Sequence, residues 1–235
     1  MKLGIVLHIT ATNHWKEWLN FLIAELALSG LIKADLDIFA TLKGEPADLM
    51  HLQSALNSIQ IPEKHIKYHL LPIDSNDITE YSTLKIIETL NNNSSYDYIC
   101  YLHSKGVTYK RSIDPVKSYM VQEWALQMAS NILSDWQIHL ERLRTDGELF
   151  VAGCNIEKKP KLHFSGNTFW IKAKSPLNRL LMPHELRKDS SDTKARWRLY
   201  YEFWICENLK IANLIEAGRT HKEGLIGYHY SNWSR

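Results

Sequence analysis

The chain has 235 residues, 45% hydrophobic and 23% charged, with a formal net charge of +2. That composition supports one sizeable core, and the length suits one large domain or one with a modest appendage. A charge so near neutral excludes a dedicated nucleic-acid binder, which needs a strongly basic surface, but leaves room for a basic loop that meets a small anion.

The first element is "LGIVLHI", residues 3–9, a continuous apolar run of the kind buried on both faces of a sheet. With one lysine before it and so few residues, it is too short for a secretory core or a membrane span. No later run is long enough either, so the sequence reads as a soluble, cytoplasmic chain without a transmembrane segment.

Residues 14–30 follow, with Trp15, Trp18, Leu19, Leu22 and Leu26 at helical spacing and Gly30 as the stop. "LDIFATL" (36–42) is a second strand, and "PADLMHLQSALNSI" (46–59) a second helix opened by Pro46. "IKYHLLP" (66–72) is a third strand; residues 74–93 are a polar loop and then a helix; "YDYICYL" (96–102) is a fourth strand. This alternation predicts a parallel sheet covered by helices on both faces.

Residues 116–147 carry one long helical signal or two shorter ones. Residues 148–156 form a strand, 161–173 a further strand with a glycine at its centre, and 195–209 an aromatic-rich helix. The end, 216–235, reads as loop with short pieces of structure. No repeat, low-complexity tract or linker divides the chain, so residues 1–235 are read as a single domain. Cys100, Cys154 and Cys206 lie too far apart for a disulfide framework or zinc cluster and read as buried thiols.

In open parallel sheets, ligands gather at the carboxyl ends of the strands. The loops leaving those ends are residues 10–13, beginning at Thr10, residues 72–77, and residues 103–111. The last contains His103, Lys105, Gly106, Lys110 and Arg111. Cations beside accessible backbone N–H groups suit phosphate oxygens, although the same residues also suit a solvated basic turn. Asp74 and Asp77 have a spacing that can share a hard cation, or equally make turns and cap a helix. Ser165, Gly166 and Asn167 interrupt an aromatic run, marking a bulge or a close backbone approach by a ligand. Phe169 or Trp170 offers an apolar floor, with His163 beside them. Glu202 lies among Tyr200, Tyr201, Phe203 and Trp204. Apolar shielding raises a carboxyl pKa toward that of a general base, and Arg198 one turn earlier offers a structural partner instead.

"EYSTLKIIETL", "YDYICYLHSKGVT", "HFSGNTFWIKAKSPLNRL" and "RLYYEFWI" occur in this order between about residues 80 and 205. Together they resemble a family of GT-A-type glycosyltransferases found in bacterial polysaccharide gene sets and some large viruses. The resemblance implies a single GT-A-like α/β domain that moves a sugar from a nucleotide-diphosphate donor to a saccharide or other hydroxyl acceptor in glycan synthesis. It also implies a divalent metal, Mn2+ or Mg2+, which such enzymes hold with an Asp-x-Asp motif.

Here that position reads His103-Ser104-Lys105. Departure of a nucleoside diphosphate leaves negative charge that preorganised positive groups must receive. His103 and Lys105 are therefore expected at the diphosphate, with Thr10, Asp74 and Gly106 also lining the donor. Thr83, Leu84 and Lys85 match the family's segment at a helix start near the donor, and Ser165, Gly166 and Asn167 the segment beside its sugar. Glu202 takes the acceptor-side base, and the metal candidates are Asp74, Asp77 and a late histidine, His229, with His221 nearby. Two rivals remain. One is a noncatalytic nucleotide-sugar or glycan-binding module that lost its metal motif, and the other a nucleotide-sugar hydrolase.

Overall fold

The computed structural model describes residues 1–12, 14–59, 66–71, 79–104, 115–159, 161–182, 185, 200–201 and 203–218. Its strands are β1 (Lys2–Thr10), β2 (Asp35–Lys43), β3 (Ile66–Leu71), β4 (Tyr98–His103), β5 (Val151–Cys154), β6 (Ile156–Glu157), β7 (His163–Phe164), β8 (Phe169–Lys172) and β9 (Leu214–Gly218). The helices are α1 (Trp15–Leu28), α2 (Pro46–Asn57), α3 (Thr79–Asn92), α4 (Pro115–Ser134) and α5 (Trp136–Thr145). Seven strands form one mixed sheet in the order β3-β2-β1-β4-β8-β5-β9, while β6 and β7 pair separately.

β1 is parallel to both β2 and β4, and β2 is parallel to β3. β8 runs antiparallel to β4 and to β5, and β5 is parallel to β9. The fold is thus α/β with a mostly parallel sheet, as the strand–helix alternation predicts. Among the described residues no helix is long and apolar enough to cross a membrane.

Seven consecutive residues of β1 are buried, which is why its sequence is apolar without alternation. Successive side chains still point to opposite sides. Leu3, Ile5, Leu7 and Ile9 join one apolar cluster, with Tyr98, Cys100 and Leu102 of β4 and buried residues of α1, α2, α4 and α5. Val6 joins the other, with Ile99 and Tyr101 of β4, Leu84, Ile87 and Leu90 of α3, and Tyr201 and Trp204. The five α1 residues at helical spacing are those it buries. Trp15, Trp18 and Trp124 all belong to the first cluster, as core residues.

The second half of the chain departs from the sequence expectation in detail. Residues 161–173 are not one strand with a central glycine, because β7 stops at Phe164 and a turn intervenes before β8. Gly166 has φ 105°, outside strand geometry. The expected strand 148–156 is ordered as β5 over Val151–Cys154, then breaks at Asn155, whose φ is 56°. Leu214–Gly218 form β9, the seventh strand, whose last three residues fall in the 216–235 segment read as loop with short pieces of structure. The helical signal over 116–147 resolves into two helices, α4 and α5. In the 195–209 segment, residues 200, 201 and 203 are helical and Trp204–Cys206 tighten into a 3-10 turn.

Candidate functional site at the point where strand connections diverge

From β1 the chain moves outward through β2 to β3, then returns to place β4 on the other side of β1. The carboxyl ends of β1 and β4 therefore flank the point where connections diverge, which is where open α/β sheets form a crevice. β4 ends in His103, paired in register with His8 of β1. Ser104 extends the join: its N–H donates to the His8 carbonyl at 2.9 Å, and its Oγ accepts from the Thr10 N–H at 3.0 Å.

The reversed direction of β8 brings a second segment to the same edge. Tyr101 of β4 pairs with Phe169, the first residue of β8, so the turn preceding β8 lies beyond the carboxyl end of β4. That turn is Phe164–Asn167, closed by a hydrogen bond from Asn167 N–H to the Phe164 carbonyl at 3.1 Å. The Ser165 N–H donates to the carbonyl of Asn155, just past β5, at 3.0 Å. Thr10, His103, Ser165, Gly166 and Asn167, widely separated in sequence, thus share one sheet edge.

The turn is tightly specified. A Cβ on Gly166 would lie 2.3 Å from Met128 Sδ and 2.7 Å from its Cε, and φ 105° is itself strained for any L side chain. Asn167 follows at φ 50° and is only 1% exposed. Among the described residues, neither its Oδ1 nor its Nδ2 has a hydrogen-bond partner. A buried carboxamide left unmet is costly, and backbone in sparsely populated regions clusters at functional sites.

His8, which the sequence reading treats only as part of a core strand, is buried at the centre of this edge. Its Nδ1 lies 2.7 Å from Thr83 Oγ1, Thr83 Oγ1 lies 2.6 Å from Thr41 Oγ1, and Thr41 Oγ1 lies 3.1 Å from the Leu7 carbonyl oxygen. Thr41 Oγ1 also lies 3.4 Å from His8 Nδ1, so the ring nitrogen meets both hydroxyls. With the Thr41 proton on Leu7, Thr83 donates to Thr41 and His8 donates from Nδ1; with it on Thr83, Thr83 donates to Nδ1 and the ring carries its proton on Nε2. Burial, assisted by the Lys43 ammonium, lowers the His8 pKa to about 4.

His103 meets His8 edge-to-face, with ring centroids 4.7 Å apart. Its Nδ1 lies 3.2 Å from Glu80 Oε1, and both side chains are largely buried, at 13% and 18% exposure. Glu80 is also absent from the sequence reading. Its position in "EYSTL", three residues before Thr83 and so on the same helix face, was the available signal.

Thr83 enters the site through His8. Lys85, by contrast, is ion-paired with Glu88 one turn on, whose other oxygen accepts the Leu180 N–H at 2.7 Å. Phe169 and Trp170 are core residues, and Trp170 Nε1–H donates to the Ile132 carbonyl at 3.0 Å. His163 is buried, its Nδ1 2.8 Å from the Lys161 carbonyl oxygen and its ring against Phe203. Asp74, Asp77, Lys105, Gly106, Glu202, His221 and His229 lie outside the described residues.

A hard divalent cation takes several oxygen ligands, usually with paired carboxylates. The described end of β4 offers an imidazole and a hydroxyl, and its neighbouring carboxylate, Glu80, faces His103. Among the described residues no group of three His, Cys, Asp or Glu side chains is placed to hold a metal. The described residues bring imidazole, hydroxyl, carboxamide and backbone donors to one edge, a set suited to an anion or hydroxyl ligand, while the metal candidates Asp74 and Asp77 lie outside the described residues.

No protein-family model matches the chain, and no curated protein matches it in sequence.

Proposed function

We propose that this protein is a nucleotide-sugar-dependent glycosyltransferase of GT-A type, acting in polysaccharide or glycan synthesis on a saccharide or other hydroxyl acceptor. The observation that supports it most directly is the meeting of His103, Ser104 and the strained Ser165–Asn167 turn where β1 and β4 diverge. In this reading the donor lies across the strand ends. His103 and Lys105 meet the diphosphate, and the buried Asn167 carboxamide, which both donates and accepts, pairs with a sugar hydroxyl, which does the same.

In the reaction the bond from the anomeric carbon to the diphosphate oxygen breaks, and the acceptor oxygen bonds to that carbon. The electron pair leaves on the nucleoside diphosphate, where His103 and Lys105 compensate its charge. The acceptor proton passes to Glu202. A divalent metal, when bound in enzymes of this type, acts as a Lewis acid at the diphosphate. The residues at the end of β4 are assigned that charge compensation here.

The test is a thermal-shift screen of nucleoside diphosphates and their sugars, with and without manganese, followed by product analysis on the ligands that bind. A ligand at about 100 times its Kd adds roughly 2.7 kcal/mol to the native state. The reading expects such a shift without metal, and release of nucleoside diphosphate when an acceptor is supplied. Binding without turnover would replace the enzyme by a noncatalytic binding module, and release without acceptor by a hydrolase. No shift with any nucleotide would overturn the reading.

A further inference from the structure

At the amino end of β4, the opposite end of that strand from the crevice, lies a pocket of about 480 Å³. That volume falls in the range of small-molecule sites. Its lining includes Ser94, Asp97, Tyr98, Arg144, Lys172 and Lys174. Tyr98 pairs in register with Lys172 of β8, so the two side chains leave the sheet on one face, where α5 brings Arg144. The Tyr98 ring packs into the core and the residue is only 5% exposed, yet its hydroxyl has no hydrogen-bond partner among the described residues. Burial, with the Asp97 carboxylate next in effect, pushes the phenol pKa up, so the hydroxyl keeps its proton and donates. Lys172 and Lys174 form no ion pair among the described residues. Arg144 gives Nε and Nη2 to Glu141, at 2.8 and 2.7 Å, and keeps Nη1.

The loop that carries the two lysines is held from below. The Ala173 N–H donates to the Asp97 carbonyl and the Lys174 N–H to the Asn91 carbonyl, both at 2.9 Å. The Asn91 side chain, itself buried, donates to the Ser175 carbonyl at 3.0 Å and accepts the Ser175 N–H at 3.1 Å. These bonds keep Lys174 at φ 63°, a left-handed conformation in which glycine would cost less. A buried asparagine and a strained lysine thus fix where the ammonium stands, and strain of this kind clusters at ligand sites.

We infer that this pocket binds a phosphorylated sugar, at a site separate from the donor crevice. The phosphate meets the Lys172 and Lys174 ammoniums, Arg144 Nη1 and the Tyr98 hydroxyl. The Asp97 carboxylate, whose Oδ2 accepts the Lys2 N–H at 2.7 Å, and the Ser94 hydroxyl accept from sugar hydroxyls in the rest of the pocket. One carboxylate stands against three cations, so the field favours an anion over a neutral sugar.

The experiment follows backbone amide shifts by NMR at pH 7.5 and constant ionic strength. Wild type, Lys174→Gly and Tyr98→Phe are each titrated with glucose 6-phosphate, inorganic phosphate and glucose. In the wild type, glucose 6-phosphate should give saturable shifts at Tyr98, Lys172 and Lys174. Inorganic phosphate should move the same residues at weaker affinity, and glucose none of them. A hydrogen bond to a charged group is worth about tenfold in affinity, so each variant should bind glucose 6-phosphate about tenfold more weakly. Lys174→Gly suits the left-handed backbone, so urea denaturation should find it no less stable than the wild type. Tyr98→Phe removes one oxygen and keeps the ring in the core. Equal affinity for inorganic phosphate and glucose 6-phosphate would overturn the sugar phosphate in favour of the free ion. Absence of saturable shifts at these residues, or unchanged affinity in either variant, would overturn the site itself.

Discussion

The burial of His8 as a neutral ring makes stability depend on pH in a way that one substitution should remove. In the unfolded chain the imidazole takes a proton near 6.5, and in the native state only near pH 4. Below 6.5 the unfolded state therefore binds more protons than the native one, and stability falls as pH falls until about pH 4, where the native ring protonates too. At 1.36 kcal/mol per unit, linkage from these values gives a loss of about 1.4 kcal/mol at pH 5.5 and about 3 kcal/mol at pH 4. His8→Asn keeps a polar side chain for Thr83 but has no titrating ring. Its fixed packing penalty, roughly 1–3 kcal/mol for a smaller buried side chain, is the same at every pH. Urea denaturation of both proteins at pH 7.5, 5.5 and 4 should show the wild-type advantage shrinking by those amounts. The carboxylates titrate equally in both and cancel in the difference. Parallel stability curves would refute the buried, neutral His8 and the hydroxyl chain built on it.

Two further predictions concern the same architecture. Gly166→Ala should destabilise the protein by about 2–4 kcal/mol, combining a strained positive φ with overpacking against Met128, as read from chemical denaturation. In a Met128→Ala background the overpacking component should vanish, so equal losses in both backgrounds would contradict a clash between the added methyl and Met128. Burial raises the thiols of Cys154 and Cys206 to about 12 and that of Cys100 well above its ordinary value. A thiol reagent at pH 8 should therefore label none of the three in the native protein and all three in urea, and rapid native labelling would show that a thiol is accessible.

Much of the framework was legible because burial on both faces writes itself into the sequence. The apolar run of β1, the spacing of Trp15, Trp18, Leu19, Leu22 and Leu26, and Pro46 at the start of α2 each specify an element locally. β9 escaped because only Leu214 and Ile215 are buried, and two residues carry no period. The turn at residues 164–167 was legible only as a break in an aromatic run, because the aromatic residues on its two sides suggest one strand. The neighbours that a side chain at Gly166 would meet, Met128 and Trp124, lie far away in sequence.

The site was legible in part. A strand ending in His103 beside a basic loop pointed to an anion, and the placement of His103, Thr10 and the Ser165–Asn167 turn on one edge follows from sheet topology. His8 and Glu80 were not legible as site residues. A histidine inside an apolar strand reads as core, and a glutamate in a first helical turn reads as solvated. Only the β1–β4 register and the approach of α3 bring them to His103.

The proposed function puts the diphosphate of an activated sugar in the crevice between the ends of β1 and β4. Backbone amide NMR of the protein, titrated with a nucleoside diphosphate, tests it most directly. Saturable shifts are expected at Thr10, His103, Ser104 and Ser165–Thr168, with His8 and Glu80 responding through them. Saturable shifts confined to another part of the molecule, with these resonances unmoved at full occupancy, would contradict it.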